Sequence, residues 1–106
     1  MIKFQRITTK DATLYNYMEQ LMTASFPSEE YRPLEELRNY TDTKTHFYCN
    51  IILHHDTPVG FITYWDFGHF YYVEHFAIDP SLRNGGHGKN VLNHLCQQLN
   101  KPIILE

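Results

Sequence analysis

At 106 residues the chain has room for one domain with a small core. A hydrophobic fraction of 42% and an aromatic fraction of 15% exclude a disordered or low-complexity chain. A net charge of −3 argues against a general nucleic-acid binder, and no apolar run approaches the roughly 20 residues of a membrane span. The opening residues are interrupted by charge at Lys3, so no secretory leader is expected there. Cys49 and Cys96 have neither metal nor redox spacing and read as free core thiols in a reducing compartment, which implies a cytoplasmic protein.

Positions 2–7 alternate, with Ile2 and Phe4 set against Lys3, Gln5 and Arg6, and predict a half-buried strand. Over 12–25, Leu14, Tyr17, Met18, Leu21 and Met22 recur at helical spacing, with Thr9 or Asp11 as the cap. Phe26 before Pro27 ends that helix. Positions 28–33 read as a polar loop and 33–40 as a short helix with Leu34 and Leu37 inward. After a polar linker at 41–44 come β-rich runs at 46–53, 59–66 and 70–78, separated by turns at 54–58 and 67–69, which predicts an antiparallel meander. A helix over 90–99, with Val91, Leu92, Leu95 and Leu99 apolar, leads to a last strand at 101–106. That crossover demands parallel pairing and a right-handed connection. The predicted class is α/β with a mixed sheet, in the order β-α-α-β-β-β-α-β, within a single domain over 1–106.

The chain is organised around 71–99, where a strand, a glycine turn and a helix follow one another. Backbone N–H groups at a helix start are free to face an anion. Gly85, Gly86 and Gly88 let the backbone approach a ligand, and Arg83 and Lys89 add formal charge. Three phosphate cradles compete. A Walker A loop is excluded because position 83 is Arg and position 90 is Asn, which leaves no hydroxyl for magnesium. The G-x-G-x-x-G dinucleotide spacing cannot be laid over glycines at 85, 86 and 88. The pattern Arg/Gln-x-x-Gly-x-Gly/Ala fits at Arg83, Gly86 and Gly88, with Phe76, Ala77, Ile78, Asp79 and Pro80 before it and the apolar helix after it. A plain turn rarely needs three glycines in four residues flanked by two cations.

With that loop, strand and helix, the chain resembles the GCN5-related N-acetyltransferases over most of its length. The resemblance implies an acetyltransferase-type fold cut short after its fifth strand, since the family pattern continues with a further helix and strands. An uncovered sheet edge is then expected, with a second copy of the chain as a candidate cover. It implies transfer of an acetyl group from acetyl-CoA, as co-substrate, to an amine of a small molecule or protein. Phe76, Ala77 and Ile78 would pair their backbone with the pantetheine arm, and Arg83, Asn84, Gly85, Gly86, His87, Gly88 and Lys89 would hold the pyrophosphate. By position, Phe26, Glu29, Glu30, Tyr31 and Arg32 fall on the acceptor side. Glu74 is the candidate general base, on a strand face shared with Tyr72, Phe76 and Ile78, and His75 is expected on the opposite face. Glu106 is a second carboxylate within reach of the cleft. The group that protonates the departing thiolate would lie beyond residue 106. The alternative reading is a module that binds coenzyme A or a partner without catalysis.

Two other constellations carry less. The seven histidines include His54 and His55 beside Asp56, but adjacent strand residues point apart, so no metal site is predicted. The aromatic run Phe67, Phe70, Tyr71 and Tyr72 could stack bases, yet the acidic balance favours sheet core and cleft wall.

Overall fold

The computed structural model describes residues 2–80, 93, 94, 97 and 101–105. Five strands form one sheet whose spatial order follows the chain: β1 (Ile2–Arg6), β2 (Phe47–His54), β3 (Thr57–Asp66), β4 (Tyr71–Ile78) and β5 (Ile103–Leu105). The first four pair antiparallel, and β4 pairs with β5 in parallel. Between β1 and β2 the chain runs through α1 (Ala12–Ser25), one 3-10 turn (Ser28–Glu30) and α2 (Leu34–Thr43). This is the expected mixed α/β architecture. Of the helix expected over 90–99, only 93, 94 and 97 are described, and they are helical.

The sheet buries both faces. On one side, Phe47, Cys49, Ile51, Phe61 and Ala77 join Tyr15, Met18, Leu21 and Met22 of α1 and Leu37 of α2. On the other, Ile2, Ile52, Val59, Ile62, Tyr64, Val73 and Ile78 form a second cluster. Neighbours in sequence such as Ile51 and Ile52 fall into different clusters because successive strand residues point to opposite faces. This accounts for the near-continuous apolar run of β3, which alternation alone would not produce. Each fully buried side chain of this kind contributes about 1.5–3 kcal/mol. Burial also pushes the Cys49 thiol up to about 12, which keeps it neutral and unreactive within the core.

Local chemistry moves some boundaries from their sequence positions. Helix α2 runs on through 41–43, where a linker is expected. Thr41 donates to the carbonyl of Leu37 at 2.8 Å and Thr43 to that of Asn39 at 2.7 Å, so their hydroxyls are satisfied inside the helix. The turn at 54–58 shrinks to His55 and Asp56, both left-handed at φ 51° and 65°, as a two-residue hairpin requires. Thr57 and Pro58 thereby join β3, with Pro58 beside a bulge where proline is tolerated. Asp11 occupies the N-cap position of α1, but its carboxylate accepts from the Thr8 N–H at 3.0 Å instead of capping the helix.

Gly60 faces Ile78 across the β3–β4 ladder. A Cβ at this position would collide with the carbonyl oxygen of Ala77 and lie 3.1 Å from the Ile78 Cα. Gly60→Ala should therefore destabilise the fold by roughly 1–3 kcal/mol. Denaturant titration checks this, and an unchanged midpoint would remove the close-approach account. The end of β3 is tied to the start of β5 by Lys101 and Asp66, 3.0 Å apart. The Gly68 N–H, and then Lys101, hold the Asp66 carboxyl below its usual range. Its stabilising effect is thus present above the unfolded carboxyl value of about 3.9 and is lost as pH falls through the lower folded value. Asp66→Asn should flatten the acid limb of stability against pH, as followed by thermal melts between about pH 2 and 6.

Candidate functional site

The site is set by one irregularity in β4. Thr63 of β3 faces His75, but the next residue, Tyr64, faces Val73, so Glu74 is an extra residue in the ladder. Such a bulge turns two successive side chains to the same side and bends the strand. Glu74 and His75 accordingly both reach the face covered by α1 and α2, where each meets the segment joining those helices. This corrects the expectation that His75 opposes Glu74 and that Glu74, Phe76 and Ile78 share a face. Beyond the bulge the alternation is reset, and Phe76 and Ile78 pack with Val73 in the second cluster.

The segment between α1 and α2 supplies the other half. Phe26 stands edge-on to the His75 ring at 4.9 Å, and His75 Nε2 donates to the Glu30 carbonyl at 2.8 Å. Arg32 forms a hydrogen-bonded ion pair with Glu74. It also lies 3.4 Å from Glu36, with its guanidinium 4.7 Å over the Tyr40 ring. The Arg32 and Glu74 side chains are only 24% and 14% exposed. Burial alone would lower the Arg32 value, but the Glu74 hydrogen bond and charge, then Tyr40 and Glu36, outweigh it and hold the guanidinium above its ordinary value. The frame behind this segment is braced by a two-pronged Arg38–Glu19 pair at 2.8 and 2.9 Å, which links α2 to α1.

Three cavities meet at Glu74. The largest of the three, about 590 Å³, is an open groove lined by Tyr40, Trp65, Phe67, Phe70, Tyr72 and Ile104 with Arg32 and Glu74. A second, about 380 Å³, is lined by Glu29, Glu30, Tyr31 and Arg32 with Tyr72, Glu74 and His75. The third, about 430 Å³, lies among Phe26, Glu29, Glu30, Glu74 and His75. All five acceptor-side candidates named from sequence, Phe26, Glu29, Glu30, Tyr31 and Arg32, therefore gather at Glu74. Among the described residues, no three His, Cys, Asp or Glu side chains converge as a metal site would need.

Among the described residues, Tyr71, Tyr72 and Val73 of β4 pair with Ile103, Ile104 and Leu105 of β5. The Tyr71 N–H to Pro102 carbonyl bond, 2.8 Å, starts that ladder. On the other edge, His75, Phe76 and Ala77 pair with Thr63, Ile62 and Phe61 of β3. The end of β4 is pinned from the other side: Ile78 pairs with Gly60, and Tyr17 of α1 donates to Asp79 at 3.3 Å. Arg83, Asn84, Gly85, Gly86, His87, Gly88, Lys89 and Glu106 lie outside the described residues.

A family model for the acetyltransferase (GNAT) family matches residues 12–105. The chain belongs to the GNAT acetyltransferase family. It is 60% identical to a solved protein described as a GNAT-family acetyltransferase from Bacteroides thetaiotaomicron, at a TM-score of 0.96 over 97% of this chain. The chain spans 58% of the length of that relative. An acetyltransferase from Thermus thermophilus matches at 16% identity and a TM-score of 0.75, over 99% of this chain and 75% of its own. An aminoglycoside acetyltransferase from an uncultured soil metagenomic sample, solved with sisomicin, matches at 18% and 0.69, over 99% and 76%. At such identities these two show the GNAT fold alone. No curated protein matches the chain.

Sequence reading places Phe70 and Tyr72 on a cleft wall but misses Tyr40, Trp65 and Ile104 of the same GNAT cavity. Trp65 and Tyr72 face each other across the β3–β4 ladder, which a strand pairing written on the sequence could have revealed. The Arg32–Glu74 contact bridges residues 42 apart and has no local signature. Because the pair is mostly shielded, removing either partner leaves a charge uncompensated. A double-mutant cycle of Arg32→Ala and Glu74→Ala, read by denaturant unfolding, should give a coupling of about 1–3 kcal/mol. Strict additivity would show that the pair contributes nothing.

Proposed function

We propose that this chain is the N-terminal, acetyl-CoA-binding part of a cytoplasmic N-acetyltransferase that moves an acetyl group from acetyl-CoA to an amine of a small molecule or protein. The observation that carries this reading is the bulge in β4, which turns Glu74, a shielded carboxylate, toward the segment between α1 and α2. An extended, amide-bearing arm such as pantetheine would pair with the strand backbone beyond that bulge by strand addition. Phe76, Ala77 and Ile78 would supply those backbone bonds, and the motif from Arg83 to Lys89 would take the pyrophosphate.

In the reaction, the amine nitrogen attacks the thioester carbonyl carbon. The C–N bond forms, the C–S bond breaks, and the coenzyme departs as thiolate. An ammonium must first lose a proton, and Glu74 would accept it and pass it on to solvent. The nitrogen gives up a second proton as the C–N bond forms and the departing thiolate takes one up, so one proton is released overall. Glu74 can serve only when Arg32 yields its place on the carboxylate, and Arg32 has Glu36 and the Tyr40 ring to fall back on. Among the structural matches, one acts on aminoglycosides and one is a ribosomal-protein-S18-alanine N-acetyltransferase from Escherichia coli. These unlike amines leave the acceptor open.

Thiol release from acetyl-CoA by the complete protein with a panel of amines tests the proposal. Glu74→Gln should lower kcat by about 10²–10⁴-fold while leaving acetyl-CoA affinity nearly unchanged. Gly86→Val should instead weaken acetyl-CoA binding in calorimetry by about 5- to 150-fold, from roughly 1–3 kcal/mol of clash. Binding without release for every amine would favour the non-catalytic module, and no binding would sink both readings.

A further inference from the structure

If acyl transfer runs at this site as proposed above, Glu74 must stay idle until an acceptor arrives. We propose that Arg32 is a guard on Glu74. It caps the carboxylate in the waiting enzyme, so that acetyl-CoA is not hydrolysed, and it is displaced only by a cationic acceptor. Arg32 is thus a positioning residue that touches no reacting atom.

The need for a guard follows from access. Three cavities, of about 590, 380 and 430 Å³, open on Glu74, so water reaches the carboxylate from several sides. A base that takes a proton from an ammonium can also take one from water. The water oxygen would then attack the thioester carbonyl carbon, forming a C–O bond as the C–S bond breaks. The products are acetate, the free thiol and one proton, and the acetyl group is lost to a side reaction.

The pairing seen here blocks that route and leaves the amine route open. Arg32 is hydrogen-bonded to Glu74 as an ion pair, and both side chains are mostly shielded. Water is neutral, so using Glu74 on water means parting the pair and leaving a shielded carboxylate uncompensated. An ammonium brings its own charge, and Glu74 exchanges one cation for another. Arg32 has a second seat ready. Glu36 and Tyr40, four residues apart on α2, share a face, with Glu36 3.4 Å from the guanidinium and the Tyr40 ring 4.7 Å beneath it. Burial tends to lower the Arg32 value, but the Glu74 hydrogen bond and charge outweigh it. The guanidinium therefore stays charged and leaves by exchange of partner, not by losing a proton. The move needs side-chain rotation alone, because the backbone is held on both sides. His75 Nε2 donates to the Glu30 carbonyl at 2.8 Å, and the Leu37 N–H donates to the Pro33 carbonyl at 2.9 Å.

Thiol release from acetyl-CoA by the complete protein, measured with no amine present, tests the guard. Arg32→Gln should raise this release by about tenfold or more, a part of the about 10²–10⁴-fold that a general base supplies. Adding Glu74→Gln should remove the rise. A merely structural role for Arg32 would not produce such a gain. Glu36→Gln, at a half-exposed position, takes away the second seat and should raise KM several-fold for any amine the wild type acetylates. Unchanged amine-free release in Arg32→Gln, or a rise that survives Glu74→Gln, overturns the guard and leaves acyl transfer standing. Should Arg32→Gln fail to fold, an unchanged amine KM in Glu36→Gln overturns the guard by itself. Absence of thiol release with every amine, in wild type and variants alike, overturns acyl transfer and the guard together.

Discussion

A strand that kept strict alternation through β4 could not have built this site. With a period of two, Glu74 and His75 would point to opposite faces, and only one could meet the segment between the helices. The extra residue opposite Thr63 and Tyr64 removes that choice. It turns both side chains toward Phe26, Glu30 and Arg32 and lets Val73 and Phe76 remain with the second core on the other side. One inserted residue therefore sets the carboxylate on which the proposed chemistry depends.

Such a bulge is useful only if its surroundings hold it. Gly60 lets β3 and β4 approach more closely than any side chain there would allow, just beyond the bulge. On the helix side, the Arg38–Glu19 pair and the bond from the Thr9 N–H to Asp42, 2.9 Å, fix α2 against α1 and the end of β1. The segment from Phe26 to Arg32 is thus strung between braced helices, which holds the guanidinium over Glu74 with little freedom to lose. A mostly shielded ion pair of this sort gives geometry more surely than net stability, because desolvation offsets much of its attraction. Its worth here is that Arg32 has several partners, so it can leave Glu74 without being abandoned.

Membership in the GNAT family accounts for the sheet, the crossover and the helix pair. It does not account for the acceptor. Remote members share this fold at 11–18% identity while one acts on aminoglycosides and another on a ribosomal-protein alanine. The local features of this chain are an aromatic surface from α2, β3, the β3–β4 turn, β4 and β5, and beside it a carboxylate held by an arginine. Those side chains come from six separate places in the chain, so substitutions at a few of them leave the scaffold untouched.

The sequence by itself determined the order of elements, the extent of α1, the meander and the parallel last strand, because apolar spacing, proline, glycine and crossover geometry are local rules. It also carries the pattern of Arg83, Gly86 and Gly88, and it singled out Glu74 and the segment from Phe26 to Arg32 as candidates. It could not supply the bulge, since an unpaired residue is defined only by the neighbouring strand. Nor could it supply the Arg32–Glu74 pair or bring Tyr40, Trp65 and Ile104 into one wall, because those contacts join residues far apart in the chain. Threonines at 41 and 43 misread as linker for a related reason: their hydroxyls bond back to carbonyls that exist only once the helix has formed. Tertiary structure decided which way each side chain of β4 points, because facing is a property of paired strands and not of a single one.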